Sequence, residues 1–193
     1  MNYKLDPDNI THFDLNQNDL ELNILFWILA AGKNGHTAAR CLNNLLSCWS
    51  EKTNLVSPFE IISEIGNLPK ELKRFGIGCF NNKARTITCL INKKFDLKKC
   101  SLEDLESVWG LGPKSVRCYL LHTRRNQKYA GLDRHVLRYL KNLGYDVPDS
   151  TPTRKKYLEI ENIFIDLANK SGKTISELDL EIWKESRVLP HGS

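Results

Sequence analysis

The chain has 193 residues, enough to bury one large or two small cores, and 41% of them are hydrophobic, the share of an ordinary globular protein rather than a disordered or fibrous one. The formal net charge is +5, a basic excess too mild to specify nucleic acid by itself, so where the charges fall matters more than their sum. Six cysteines, at 41, 48, 79, 89, 100 and 118, form no C-x-x-C pair and have no histidine at zinc-ligand spacing, which argues against a zinc finger and for reduced thiols inside a cell.

Taken in chain order, the polar opening "MNYKLDPDNI" carries no leader pattern, and the longest apolar run, "LNILFWILAAG", is too short to span a bilayer. An intracellular protein without a membrane segment is expected, in the cytoplasm and nucleoid or in a nucleus. "LELNILFWILAAG" (20–32) reads as a helix apolar on nearly every side and therefore central. "HTAARCLNNLLSCW" (36–49) sets Ala39, Leu42, Leu45, Leu46 and Trp49 at helical spacing. "SPFEIISEIG" (57–66) opens with Ser57 as N-cap and Pro58 at the first helical position. A turn around Pro69 and a glycine-rich link, "FGIGCF", precede an amphipathic helix over 81–94. "SLEDLESVW" (101–109) begins on a capping-box variant, Ser101 with Asp104. "PKSVRCYLLH" (113–122) has proline at its first position, and "DRHVLRYLKNLG" (133–144) ends on a C-terminal glycine. The last two helices are expected over 151–172, with Thr151 as N-cap and Pro152 at the first position, and over 174–186. No strand pattern, repeat or low-complexity tract interrupts this series, so the fold class is all-α with roughly ten helices.

Residues 101–122 form two helices joined by Gly110-Leu111-Gly112. The glycines permit positive φ and close backbone approach, and the free N–H groups of the second helix offer an anion site suited to a DNA phosphate. Lys114 stands in the first turn of that second helix, where the helix dipole disfavours a cation and would favour the neutral amine a nucleophile needs. Nineteen residues on, Asp133 opens the next helix, an ordinary N-cap position. An amine and a carboxylate converging beside a phosphate-gripping hairpin point to chemistry at a sugar carbon. The amine attacks C1′ and forms a Schiff base, and the carboxylate stabilises positive charge on the sugar. The competing reading is a helix-hairpin-helix module that binds DNA without chemistry.

"VWGLGPKSV…GLDRHVLRYL" resembles the helix-hairpin-helix DNA glycosylase superfamily, the relatives of endonuclease III. The resemblance extends over residues 20–187 and is most specific in the hairpin and the "LDRH" segment. It implies that Lys114 is the Schiff-base lysine and Asp133 the catalytic aspartate of a bifunctional glycosylase and AP lyase that cuts by β-elimination. It implies that "CFNNKARTI" (79–87) faces the DNA opposite a flipped base, with Phe80 as wedge and Asn82, Lys83 and Arg85 on the opposite base or backbone. Lys33, Asn34 and His36, after the first long helix, would enter the minor groove. Gly110, Gly112, Arg134, His135 and Arg138 would also bind the DNA. No cysteine follows Cys118, so the C-terminal iron–sulfur cluster of endonuclease III cannot form, and no metal or cofactor is expected. The short, cluster-free chain is most similar to compact archaeal-type 8-oxoguanine DNA glycosylase/AP lyases. Cys118 and Trp183 are then candidates for the base pocket. The implied partner is double-stranded DNA with a damaged base, met by a monomer. An endonuclease III-like glycosylase for oxidised pyrimidines is the alternative within the superfamily. The expected architecture is a helical barrel over 20–130 holding the hairpin, a second helical domain from 1–19 plus 131–193, and a DNA-binding cleft between them.

Overall fold

The structure, a computed structural model, describes residues 3–188. Among them are ten α-helices, a single 3-10 turn (Pro7–Asn9) and no strand. The helices are α1 (Gln17–Ala30), α2 (Gly35–Thr53), α3 (Pro58–Ser63), α4 (Leu68–Arg74), α5 (Phe80–Asn92), α6 (Leu102–Glu106), α7 (Pro113–Thr123), α8 (Arg134–Asn142), α9 (Arg154–Lys170) and α10 (Ile175–Val188). No helix is long and apolar enough to cross a membrane.

The caps explain most of the starts. Ser57 accepts from the Glu60 N–H at 3.2 Å, and the Ser101–Asp104 capping box closes in both directions at 3.0 and 2.8 Å. Two starts differ from expectation. Pro69 does not mark a mere turn: Asn67 caps the Lys70 N–H at 3.1 Å and the proline lies in the first turn of α4, where its missing donor costs nothing. Helix α9 begins at Arg154, not after Thr151, because Thr153 is still extended at ψ 160°. Pro152 fixes φ, but ψ decides whether a helix has started.

Helix α1 is buried along nearly its whole length and packs against α2, α3, α5 and α7. Its apolar surround is therefore the floor of a first core, to which Tyr3 and Ile10 of the N-terminal segment also belong. A second core gathers Leu121, Val136, Leu140, Tyr157, Phe164 and Ile182 from α7 to α10. Helix α7 serves both cores, with Val116, Cys118, Tyr119 and Leu120 in the first and Leu121 in the second.

A buried polar cluster fastens the segment between α7 and α8. The Arg117 guanidinium donates to Glu161 at 3.0 Å and also pairs with Glu106. Glu161 accepts from the Ala130 N–H at 2.8 Å, and the Tyr157 hydroxyl donates to the Ala130 carbonyl at 2.8 Å while accepting from the Leu132 N–H at 3.0 Å. The loop that leads into α8 is thereby held on α9. A guanidinium with two carboxylates is satisfied in a site where a lone charge would be costly.

Candidate active site

The hairpin between α6 and α7 is set by glycine. Gly110 has φ +80°, and a Cβ on it would lie 2.2 Å from the Thr86 hydroxyl, so only glycine allows both the turn and its approach to α5. Gly112 precedes α7 and brings no side-chain cap. Proline at the first position supplies no N–H, and the remaining first-turn donors are left to an anion.

Helix α7 carries Lys114 to one wall of a cleft of about 950 Å³. The amine lies 5.3 Å from the centre of the Trp27 ring, an arrangement that favours a cation. Asp133, the N-cap of α8, lines the same cleft. Its Oδ1 accepts from the N–H groups of His135 at 2.8 Å and Val136 at 3.0 Å. Both capping bonds fall on the same oxygen. The cap reading of Asp133 and the chemical reading are therefore compatible: capping fixes the carboxyl, and Oδ2 takes no part in it.

The charge on Lys114 differs from expectation. Burial, the largest influence, pushes the amine toward the neutral form, while Asp133 and Asp179 oppose it, and the balance lies above the ordinary lysine value. The surroundings of Lys114 thus favour the ammonium, contrary to the expectation from the helix dipole alone. Cys118, one turn further along α7 and 2% exposed, is pushed far up by burial and stays a thiol. His135, partly buried, is pushed below the ordinary histidine value, mainly by burial, and its Nδ1 has no hydrogen-bond partner.

Other expected residues share the cleft. Lys33 and Asn34 line it, with Lys33 donating to the Gly76 carbonyl at 2.5 Å and Asn34 capping α2 through the Thr37 N–H at 3.2 Å. Arg134, His135, Cys118 and Trp183 line it too. His36 lies just behind, its ring stacked on Trp183 at 5.2 Å. A Cβ on Gly35 would lie 3.2 Å from the Trp183 ring, so the start of α2 shapes one side of that indole.

The α5 group is placed elsewhere. Phe80 is half-buried against the first core, with the Lys73 amine 5.5 Å from its ring. Asn82 is exposed, and the Arg85 guanidinium lies 3.9 Å over the half-exposed ring of Trp109. Arg138 is exposed on α8 and does not line the cleft. Lys83 is a correction. Its amine is buried and donates to the Leu29 carbonyl at 2.8 Å, so it satisfies an end-of-helix carbonyl of α1 and is not available to DNA.

The sequence reading missed Asp179, His122 and Trp27, which also line the cleft. The signals were thin. Asp179 is four residues before Trp183, hence on the same face of α10, but an acid on an amphipathic helix ordinarily reads as solvent-facing. Among the described residues, no group of three or more His, Cys, Asp or Glu side chains could hold a metal ion.

Comparison with known proteins adds a family. Residues 10–173 match the family described as Ogg-HhH, 8-oxoguanine DNA glycosylase. The chain is similar to an 8-oxoguanine DNA glycosylase/AP lyase of Methanocaldococcus jannaschii, 35% identical over 129 residues, which cover 60% of this chain and 60% of that protein. A protein of the same description from Picrophilus torridus is 33% identical over 79 residues, covering 41% of this chain and 37% of that one. The match thus spans less than two thirds of the length of either relative. The crystal structure of the Methanocaldococcus jannaschii 8-oxoguanine glycosylase/lyase in complex with a 15mer DNA containing 8-oxoguanine has a TM-score of 0.68 at 27% identity, covering 88% of this chain and 81% of that one. The 8-oxoguanine DNA glycosylase of Thermotoga maritima gives a TM-score of 0.68 at 23% identity over 87% of this chain and 79% of that one, a likeness of fold.

Proposed function

The chain belongs to the 8-oxoguanine DNA glycosylase family, matched over residues 10–173, and on that premise we propose that it excises an oxidised base from double-stranded DNA, 8-oxoguanine foremost, and then cuts the strand. The observation that carries this reading is the meeting of Lys114 and Asp133, delivered by two different helix starts, in one cleft beside the glycine hairpin. Phosphate binding alone requires neither side chain.

The chemistry follows from the groups present. First-turn N–H groups of α7, with Arg134 and Lys33, hold the backbone around the damaged nucleotide, which turns out of the stack into the cleft. Trp183 offers a face for the base. Lys114 must first lose a proton. Its amine then attacks C1′, the bond from C1′ to the base breaks, and the base leaves with the electron pair and takes up a proton. The Asp133 carboxylate steadies positive charge on the sugar while that bond breaks. Ring opening gives the Schiff base, loss of a C2′ proton expels the 3′ phosphate, and water frees Lys114. We take the protein to act as a monomer inside the cell.

The test is strand scission on end-labelled duplexes carrying one 8-oxoguanine, against undamaged and thymine glycol duplexes. Cleavage at 8-oxoguanine is the expected result. Cleavage only at thymine glycol would move the protein to the pyrimidine branch, and binding without cleavage on any lesion would leave a DNA-binding module.

A further inference from the structure

Behind Lys114 a chain of polar groups, centred on the buried His122, crosses three segments. Thr11 Oγ1 lies 2.7 Å from His122 Nδ1, and His122 Nε2 lies 3.1 Å from an oxygen of Asp179. His122 is 1% exposed and is also held through its backbone, its carbonyl accepting from the His12 N–H at 2.9 Å. Its ring stacks on Trp27, 5.5 Å between centres and 15° between planes, and Trp27 is the ring over which the Lys114 amine sits. The N-terminal segment, α7 and α10 thus fix one carboxylate in the cleft that Lys114 also lines.

We propose that Asp179, held by His122 and Thr11, is a positioning residue that keeps the Lys114 amine charged and placed in the cleft until a nucleotide enters. This rests on the reading of Lys114 as nucleophile. An ammonium drawn out of water needs a nearby carboxylate to be tolerated. Asp133 has one oxygen committed to the α8 cap, and its other is reserved for the sugar. Asp179 supplies the second negative charge, and its hydrogen-bonded partner His122 lies in the packed interior and is itself tied to Thr11. The titratable and charged groups that share the cleft with Lys114 and act on its charge are Cys118 on its own helix, Asp133 and Arg134 from α8 and Asp179 from α10. Cys118 stays a thiol, so among them only the two aspartates favour the ammonium.

The test is the pH dependence of borohydride trapping by the full chain on a duplex with an abasic site, a probe that bypasses base recognition. In Asp179→Asn the half-maximal point, normalised to each plateau, shifts to lower pH than in the wild type. In Asp179→Glu, which keeps the charge, it stays at the wild-type position. A uniform loss of rate with an unmoved midpoint in Asp179→Asn would mean a packing role only and overturns the proposal. NMR titration of the Lys114 side chain in the DNA-free protein reads the same property without activity: earlier loss of its proton in Asp179→Asn supports the proposal, and identical titration overturns it. Wild-type protein that traps no abasic DNA defeats the nucleophile reading, and the NMR titration still decides whether Asp179 holds the lysine's charge.

Discussion

Cys118 Sγ packs so closely on Gly131 that a Cβ there would lie 2.1 Å from the sulfur. Gly131 in turn accepts the Asp133 N–H at 2.7 Å. One contact therefore joins the helix of the nucleophile to the approach of the carboxylate. Gly131→Ala should push the two apart, since a packed interior cannot absorb the extra atom. We expect a stability loss of about 1–3 kcal/mol, with strand cleavage impaired beyond what the lost stability explains. Urea unfolding beside single-turnover cleavage checks both.

The Arg117 cluster predicts a larger effect. Glu161 is pushed above the ordinary carboxylate value, mainly by burial, while Arg117 and the Ala130 N–H oppose the shift. Arg117→Met would strand two carboxyl groups that now share its guanidinium. Breaking a buried pair on one side costs about 3–5 kcal/mol, so the variant should unfold at markedly lower denaturant. A change below about 1 kcal/mol would mean that the cluster is already well solvated.

His135 gives a pH dependence with a definite sign. Its folded-state value lies below the ordinary 6.5 because burial disfavours the imidazolium. The unfolded chain therefore takes up this proton at a higher pH than the folded chain does. Stability from this group is complete above the ordinary histidine range and is lost as the pH falls through 6.5 toward the lower folded value. His135→Asn should flatten that part of the melting-temperature profile.

Binding to undamaged duplex should weaken with salt through counterion release. Arg134→Ala should lower the log–log slope by about one, because Arg134 lines the cleft and is exposed. Lys83→Met should leave the slope unchanged, since its amine is spent on Leu29. Fluorescence anisotropy across a salt series distinguishes the two.

Trp183 should act on the base and not on the sugar. Base–aromatic stacking contributes about 1–3 kcal/mol per base. Trp183→Ala should accordingly slow 8-oxoguanine excision by roughly five- to 150-fold, the kinetic equivalent of that loss, while trapping on an abasic site changes little.

The hairpin, Lys114 and Asp133 were legible because their signals are local. Glycine at positive φ, proline at a helix start and an aspartate cap each leave a mark within a few residues. The α4 helix was hidden because Pro69 reads as a turn unless Asn67 is recognised as its cap. Lys83 and Asp179 were misread or missed for the same reason. Each sits on an amphipathic helix where charge ordinarily means solvent, and only the packing of α5 on the end of α1, or of α10 near α7, reveals otherwise. The charge of Lys114 was beyond sequence altogether, since it depends on a carboxylate 65 positions away in the chain.

The most direct test of the central claim is borohydride trapping on a duplex with a single 8-oxoguanine, wild type beside Lys114→Gln. The account predicts a covalent protein–DNA complex for the wild type, none for Lys114→Gln, and DNA binding retained in both. A complex that persists in Lys114→Gln would contradict it, because the nucleophile would then be another group.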